Sequence, residues 1–484
     1  MSLSLYDAVD YALTYAEKIG AYQAEAFGAR GKAVILNIEK GIPSITTSYI
    51  SGIAVRVATK TNYGFSYTTS LSKEAIEFAV KTALEGAKAK GDDKYFKSLP
   101  EPLPATPITP FYDTRIAEIT ADEIMNLYEI VRNNVIASRE KIMLIGGGMG
   151  AVSGETILKN SLGIEFNTKR TLFYCYLYCL STDEIPPAVG FAVDVQDSLG
   201  KVKLDRLSDK VIEDTVKSKR AKEMDFVGKA DIVIMPHALS SFLWVFSEEI
   251  AAHNVDRNNT PFKRDMIGNK IADENLSIID NPRSPDCPWR TDRDDEGVPT
   301  KSIEIIRDGI LKSFLTDWYY AKKWNVEPTG SCRRISAWSY GWNPFVRPTI
   351  APSWIEIKHK NEIKYDEIIS EIREGFVIKS VMGIHQSDFA SGRFAVPASG
   401  WYIKNGEIKM ALRSVMLAGT IPELLKNVKA TSKEKERTNY GDLPSVHVQN
   451  VYVTARRSPF MYRFILRIIN GLIRLGIIKS PIVK

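Results

Sequence analysis

Glu248, Glu249 and His253 are the residues whose types and spacing most clearly allow chemistry, and they lie together in the apolar segment 244–253. If this segment is helical, Glu249 and His253 are four residues apart and leave one helical face with an offset of about 40°. A carboxylate beside an imidazole can contribute to a metal site or to proton transfer. We therefore take Glu249 and His253 as catalytic candidates.

Further polar clusters follow in the last half of the chain. Asp294-Asp-Glu-Gly297 gathers three carboxylates, but hard-cation loops need more oxygens at defined spacing, so a turn is favoured over a cation site. His385 and the pair Ser391-Gly392 lie close together in sequence. A lone histidine is more often structural than a ligand.

The composition is that of an ordinary soluble protein. The chain has 484 residues, 44% hydrophobic and 25% charged, with a net charge of +6. No basic patch interleaved with aromatic residues argues for nucleic acid, and no apolar run reaches the roughly 20 residues of a membrane span. Residues 1–20 predict an amphipathic helix rather than a signal peptide. We expect a cytoplasmic protein.

The pattern of elements predicts an α+β fold. Two small N-terminal α+β units precede a large β-rich C-terminal domain that carries an inserted helix at about 241–252. The expected boundaries are an N-terminal α+β domain at 1–98, a Pro-rich linker at 99–111, a middle α+β domain at 112–224, the β-rich domain at 225–455 and a basic amphipathic tail at 456–484.

Local signals mark several helix ends. A helix from about Leu5 is expected to stop at Gly20, Ser72 is expected to cap a second helix, and Thr120 with Glu123 forms a capping box for a third. Short strands are predicted at 32–38, 53–58 and 64–68.

The order of these segments resembles the TldD/PmbA family, the gyrase-modulator and microcin-maturation proteins. The resemblance runs from about residue 24 to 455, and the ordered set carries it rather than any single piece. The matching segments are Gly20-Ala-Tyr-Gln-Ala-Glu25, Ile53-Ala-Val-Arg-Val57, Asp294-Asp-Glu-Gly297, Asp308-Gly-Ile-Leu311, Gly383-Ile-His385, Ser391-Gly392, Asn405-Gly-Glu407 and residues 443–453.

The resemblance implies which branch of the family this is. One branch carries HExxxH and a late cysteine and is a zinc metallopeptidase; the other, PmbA or TldE, lacks these ligands and serves as the partner subunit. Here Glu249 and His253 match the second and last motif positions, Glu248 replaces the first histidine, and 438–444 contains no cysteine. The PmbA pattern Ser-Gly-Asp-Phe-Ser is Ser391-Gly-Arg-Phe-Ala395, which removes its aspartate and second serine.

The resemblance therefore implies a PmbA/TldE-like, non-catalytic subunit of a cytosolic zinc metallopeptidase complex. The chain itself would hold no cofactor, and zinc would belong to a TldD-like partner that acts with it on peptides or unfolded proteins. We expect a dimer or higher oligomer, and no nucleic-acid or membrane partner. The candidate substrate-binding residues are Asp295, Glu296, His385, Ser391 and Gly392.

Two alternatives stay open. The chain could be an independently active metallopeptidase with an altered Glu/His metal site, or a metal-free peptide-binding or scaffold homo-oligomer. The metal content of the purified chain distinguishes the first alternative from the other two functions. Co-purification with a TldD-like protein distinguishes the favoured function from the second alternative.

The tail lies outside the resemblance. Residues 460–478 predict a helix with a narrow polar stripe formed by Arg463, Arg467, Asn470 and Arg474. Such a helix could lie on an anionic membrane surface or dock on protein. We expect docking of the apolar face on protein with the arginines outward.

Overall fold

The computed structural model describes residues 2–108, 111–335, 343–475 and 477–478. Pro110 of the predicted linker and the last residues of the tail lie outside these ranges. The fold is α+β, as predicted, with N-terminal α+β units and a large β-rich C-terminal region.

The two N-terminal units share one antiparallel sheet of order β3-β2-β1-β4-β5-β6. Its strands are β1 Gln23–Glu39, β2 Ile42–Ala58, β3 Tyr63–Thr68, β4 Ile142–Asn160, β5 Glu165–Ser181 and β6 Val189–Gln196. The accompanying helices are α1 Leu5–Lys18, α2 Lys73–Ala89, α3 Thr114–Glu118, α4 Ala121–Ala137 and α5 Leu204–Lys217. Pairing of β1 with β4 joins the halves although about 100 residues separate them.

Strand alternation gives this sheet two different faces. The even-numbered apolar residues of β1 pack against the helices: Ala24, Ala26, Val34, Leu36 and Ile38. Odd-numbered residues point the other way: Glu25 is opposite Arg56 of β2, and Phe27 lies under the guanidinium of Arg334, 4.2 Å away. The second face therefore meets the C-terminal domain.

The C-terminal domain is built from many short strands and a few long ones. The strands are β7 Phe226–Ile234, β8 Leu276–Asp280, β9 Ile303–Arg307, β10 Ile310–Leu311, β11 Cys332–Arg333, β12 Thr349–Ile350, β13 Ile355–His359, β14 Glu362–Ile363, β15 Glu374–Val381, β16 Arg393–Lys404, β17 Glu407–Thr420, β18 Val428–Arg437 and β19 Asp442–Ala455. The helices are α6 Pro236–Glu249, α7 Ala252–Asp256, α8 Trp318–Trp324, α9 Tyr365–Glu371, α10 Ile421–Lys426 and α11 Phe460–Arg474.

The main sheet of this domain closes on itself. Its order is β14-β18-β19-β17-β16-β15-β7, and β7 also pairs with β19. A smaller sheet of order β10-β9-β8-β13 lies beside it. Helix α6 packs against β15 and β19, so the largest hydrophobic core surrounds it.

The linker is held by the domains that it connects. Asn160 donates a side-chain hydrogen bond to the Pro100 carbonyl (2.7 Å), and Arg293 of the C-terminal domain donates to the Leu103 carbonyl (3.1 Å). These bonds fix the path of the linker between sheet and domain.

The predicted orientation of the tail is confirmed only in part. Helix α11 forms, Arg467 and Arg474 are exposed as predicted, and Ile473 is buried. However, Asn470 of the polar stripe faces the protein, while Met461, Phe464 and Ile468 of the apolar face are exposed. The prediction assumed that the wide apolar face had to be covered within the protein. In the part of the chain that the structure describes, no helix is long and apolar enough to cross a membrane.

Candidate functional site

Helix α6 carries the first candidate residues and is buried on nearly all sides. Pro236 begins it at a position where the missing N–H is harmless, and the apolar side chains of Phe242, Leu243 and Phe246 fill the domain core. Glu249 is its last residue, and the following residue, Ile250, caps it.

The helix ends here because a neighbouring segment takes its backbone groups. Ala252 N–H donates to the Leu315 carbonyl (2.9 Å), and Leu315 N–H donates to the Ile250 carbonyl (3.0 Å). Ala251 is extended, with φ −76° and ψ 125°. Thr260 Oγ1 donates to the Glu249 carbonyl (2.9 Å), which satisfies one of the last carbonyls of the helix.

This interruption overturns the predicted pairing of Glu249 with His253. His253 belongs to the separate short helix α7, so the ideal four-residue spacing does not apply. His253 Nε2 instead lies 3.9 Å from Glu248 Oε2. Asn254 Nδ2 donates to the same Glu248 oxygen (3.1 Å) and to the Glu248 carbonyl (2.9 Å).

Glu249 is sealed inside the protein. It is 0% exposed, and neither carboxylate oxygen has a hydrogen-bond partner among the described residues. Burial raises the pKa of Glu249 to about 8, so the carboxyl is mostly protonated at neutral pH. A protonated carboxyl without access to water cannot serve as a general base.

Histidine 253 is neutral at neutral pH. Burial, helped by the charge of Arg257, lowers the pKa of His253 to about 4, and burial raises the pKa of Glu248 above its usual value. The two side chains are therefore neighbours rather than an ion pair near pH 7.

The donors present do not fit a catalytic zinc ion. Catalytic zinc takes three protein ligands and one open position for water. Glu248 and His253 supply at most two metal ligands, and the Glu249 carboxyl does not lie beside them. Among residues 2–108, 111–335, 343–475 and 477–478, no group of three His, Cys, Asp or Glu side chains is arranged to hold a metal.

Asp295 and Glu296 lie in a buried network between the N-terminal sheet and the C-terminal domain. Arg56 forms ion pairs with both Glu25 and Glu296. Trp318 N–H donates to Glu296 (3.0 Å), and Arg334 N–H donates to Asp295 (2.6 Å). These oxygens are thus engaged within the chain.

Asp294, the neighbour of these two residues, shapes the turn that the sequence predicted. Its Oδ1 accepts from the N–H groups of Glu296 (3.0 Å) and Val298 (2.9 Å), and its Oδ2 accepts from Cys332 N–H (3.0 Å). Gly297 adopts φ +83° at the bend.

His385, Ser391 and Gly392 lie on one loop between β15 and β16, beside α6. His385 is exposed in a short 3₁₀ turn, and Ser391 Oγ donates to Asp388 (2.5 Å). Gly392 has φ +68°, and a Cβ there would lie 3.0 Å from Glu249 Oε1. The structure therefore brings the Ser391-Gly392 loop to Glu249, and it places Asp295 and Glu296 in a different cluster.

A cavity of about 1040 Å³ lies between the first α+β unit and the C-terminal domain. His253 lines it from α7, and Asp317 lines it at the start of α8. Burial raises the pKa of Asp317 to about 7, with a further contribution from the charge of Glu296. Other lining residues are Tyr63, Tyr319, Tyr320, Arg257 and Arg347.

Sequence reasoning missed most of this cavity. Tyr63, Asp317 and Arg347 come from three distant parts of the chain, and no local spacing connects them. For the buried network of Glu296, a usable signal was Arg56, a charged residue inside the apolar strand segment 53–58, because a buried arginine requires acidic partners.

Fold and sequence define a protein of the PmbA/TldD class. Residues 24–87 match the PmbA/TldA metallopeptidase domain 1, and residues 227–455 match the PmbA/TldA metallopeptidase C-terminal domain. The chain belongs to the TldD/PmbA family, within its PmbA/TldE branch.

Individual relatives agree with this membership. The chain is 26% identical to an uncharacterized protein of Methanocaldococcus jannaschii, over 85% of this chain and 91% of that protein. It is 23% identical to the metalloprotease PmbA homolog of Haemophilus influenzae, over 89% of this chain and 92% of that protein. The crystal structure of TldE from Thermococcus kodakarensis superimposes with a TM-score of 0.82 at 23% identity, covering 92% of this chain and all of that one (100%).

Proposed function

We propose that this chain is the non-catalytic, PmbA/TldE-like subunit of a cytosolic zinc metallopeptidase complex. Its partner is a TldD-like subunit that bears the zinc, and the complex processes peptides or unfolded proteins. The observation that carries the proposal is that α6 ends at Glu249. Only two possible metal ligands, Glu248 and His253, then lie together. The Glu249 carboxyl is buried and protonated and does not join them.

The proposed contribution of this chain is to bind substrate. The cavity combines tyrosine rings, which pack against peptide side chains, with Arg257 and Arg347, which pair with carboxylates. Tyr319 and Tyr320 project from α8 at its wall. This composition suits an extended peptide that carries acidic or C-terminal carboxylate groups.

The residue roles predicted from the sequence are revised accordingly. We assign peptide binding to the cavity residues and a joining role between domains to Asp295 and Glu296. Binding roles for His385, Ser391 and Gly392 remain predictions; their loop lies beside the C-terminal end of α6, where Gly392 packs against Glu249.

The test is reconstitution of the complex. The isolated chain is expected to leave peptides uncut, and addition of a TldD-like protein with an intact HExxxH motif is expected to give chelator-sensitive cleavage. Tyr320→Ala and Arg347→Ala should raise KM in the complex with little change in kcat, because the proposed role of both residues is to bind the peptide and not to take part in the chemical step.

Tyr452→Ala serves as the matched control, since Tyr452 is also a partly exposed tyrosine of the C-terminal domain but does not line the cavity. Chelator-sensitive cleavage by the isolated chain would contradict the non-catalytic role. An unchanged KM in both cavity variants would contradict the peptide-binding role alone.

A further inference from the structure

The C-terminal helix α11 turns one apolar side to solvent, while Ile473 is buried on its protein side. Met461, Phe464, Ile465, Ile468 and Leu475 recur at spacings of three, four and seven, which places them on one side of the helix. All are exposed, Met461 by 64% and Leu475 by 75%. Contiguous apolar surface of this kind marks an interaction site.

The opposite face of α11 is fixed to the protein by specific bonds. Asn470 Oδ1 accepts from Ile185 N–H (2.6 Å), and Asn470 Nδ2 donates to the Ile185 carbonyl (2.9 Å). Ile473 is buried beside them. Ahead of the helix, Ser458 Oγ donates to Glu223 (2.7 Å). These contacts hold the helix so that its apolar face points outward.

The charge of the tail identifies the surface that fits this face. Residues 456–484 contain no Asp or Glu, and their basic residues are Arg456, Arg457, Arg463, Arg467, Arg474, Lys479 and Lys484. Arg467 and Arg474 are exposed and lie roughly 100–125° around the helix from the middle of the apolar face. Long arginine side chains at such a flank reach the phosphates of a lipid headgroup while the apolar residues enter the acyl boundary.

A second copy of the same helix fits less well. Pairing two such faces about a two-fold axis would bring the basic segments of both copies together, and residues 456–484 themselves supply no acidic residue to compensate Arg467 and Arg474. An anionic lipid surface offers the complementary charge along its whole extent.

We propose that α11 binds the surface of anionic phospholipid membranes and holds the protein there without crossing the bilayer. The helix lies in the plane of the interface, with Phe464, Ile465 and Ile468 inserted and Arg467 at the phosphate level. The proposal does not depend on the peptidase function proposed above, because the tail lies outside both matched family domains.

Co-sedimentation of the full chain with lipid vesicles tests this. We expect binding to vesicles of half phosphatidylglycerol and half phosphatidylcholine, weaker binding as salt is raised, and little binding to phosphatidylcholine alone. The double variant Ile465→Asp with Ile468→Asp should weaken binding by about tenfold or more. Both side chains are half exposed, so the variant should keep the thermal unfolding midpoint of the wild type.

The matched control is Phe78→Asp, because Phe78 is an exposed apolar residue (72%) on the distant helix α2. It should bind vesicles as the wild type does. Failure of the intact chain to sediment with anionic vesicles would overturn the proposal, as would binding that the double variant retains. If the double variant instead dissociates an oligomer and the vesicles have no effect, a protein partner covers α11 and the lipid proposal is wrong.

Discussion

Two buried glutamates of the C-terminal domain, Glu296 and Glu249, have opposite surroundings. Glu296 faces the Arg56 guanidinium and the Trp318 N–H, whereas neither oxygen of Glu249 has a partner among the described residues. Burial opposes ionisation of both. At Glu296, Arg56 and the hydrogen bonds outweigh burial and hold the pKa below its usual value; at Glu249 nothing opposes burial, and the pKa rises to about 8.

The difference in surroundings gives the two glutamates different roles. Glu296 can join the two domains, whereas Glu249 cannot act as a general base. An ionised Glu296 attaches the domain to the N-terminal sheet through Arg56 and Glu25. Glu249, which matches the motif glutamate only by sequence resemblance, is protonated and enclosed in the folded chain, and it cannot accept a proton from water at neutral pH.

The largest expected effect comes from removing the partner of Glu296. Arg56→Met leaves Glu25 and Glu296 buried without their cation, and should lower the free energy of unfolding by about 3–5 kcal/mol in a denaturant titration. Arg30→Met is the control, because Arg30 also pairs with a glutamate but its side chain is 57% exposed. That change should cost less than about 1 kcal/mol. An equal loss of unfolding free energy in the two variants would show that the buried Arg56 pairs matter no more than an exposed one, and would contradict the contrast drawn between Glu296 and Glu249.

The second prediction concerns Glu249 and pH. The pKa of its carboxyl rises from 4.5 to about 8 on folding. The contribution of Glu249 to the free energy of unfolding is therefore most favourable below about pH 4.5. It declines as the pH rises to about 8 and stays at its lowest value above that pH. Glu249→Gln removes this decline, and should make the protein about 2–3 kcal/mol more stable than wild type at pH 9, with the introduced amide still unpartnered.

Denaturant titrations of wild type and variant from pH 5 to pH 9 measure this difference. The stability gained by the variant should grow from pH 5 to about pH 8 and stay constant above that. A gain that does not change with pH would mean that Glu249 is already ionised in the folded protein, and would remove the contrast with Glu296.

A smaller effect is expected at Gly392, which packs against Glu249. Gly392→Ala adds a Cβ 3.0 Å from Glu249 Oε1 to a backbone at φ +68°. We expect a loss of about 2–3 kcal/mol of unfolding free energy, from the left-handed conformation and the contact together. Gly20→Ala isolates the first contribution, because Gly20 has φ +82° and nothing within 4 Å of its added Cβ. It should cost about 1 kcal/mol, and a cost equal to that of Gly392→Ala would show that the packing against Glu249 is loose.

Elements with local signals were predictable from the sequence. Ser72 caps α2, and Thr120 with Glu123 forms the capping box of α4, both as predicted. The bonds that fix these helix starts join residues three apart. The strand predicted at 64–68 matches β3. The strands predicted at 32–38 and 53–58 were too short, because β1 and β2 extend well past their apolar segments as a long hairpin.

The features that decide the site are not local. The end of α6 depends on Leu315, and the Arg56–Glu296 pair joins residues 240 positions apart. Helical periodicity across 244–253 therefore gave the wrong partner for His253. In the tail, amphipathicity correctly predicted the helix but could not tell which face the protein would bind.

Zinc content tests the central claim, that this chain lacks a catalytic metal site of its own. The full chain would be purified from zinc-supplemented cells, dialysed without chelator, and measured by elemental analysis beside its Glu248→Ala and His253→Ala variants. The account predicts far less than one zinc per chain, with no difference among the three proteins. Close to one tightly held zinc per wild-type chain, lost in both variants, would contradict it.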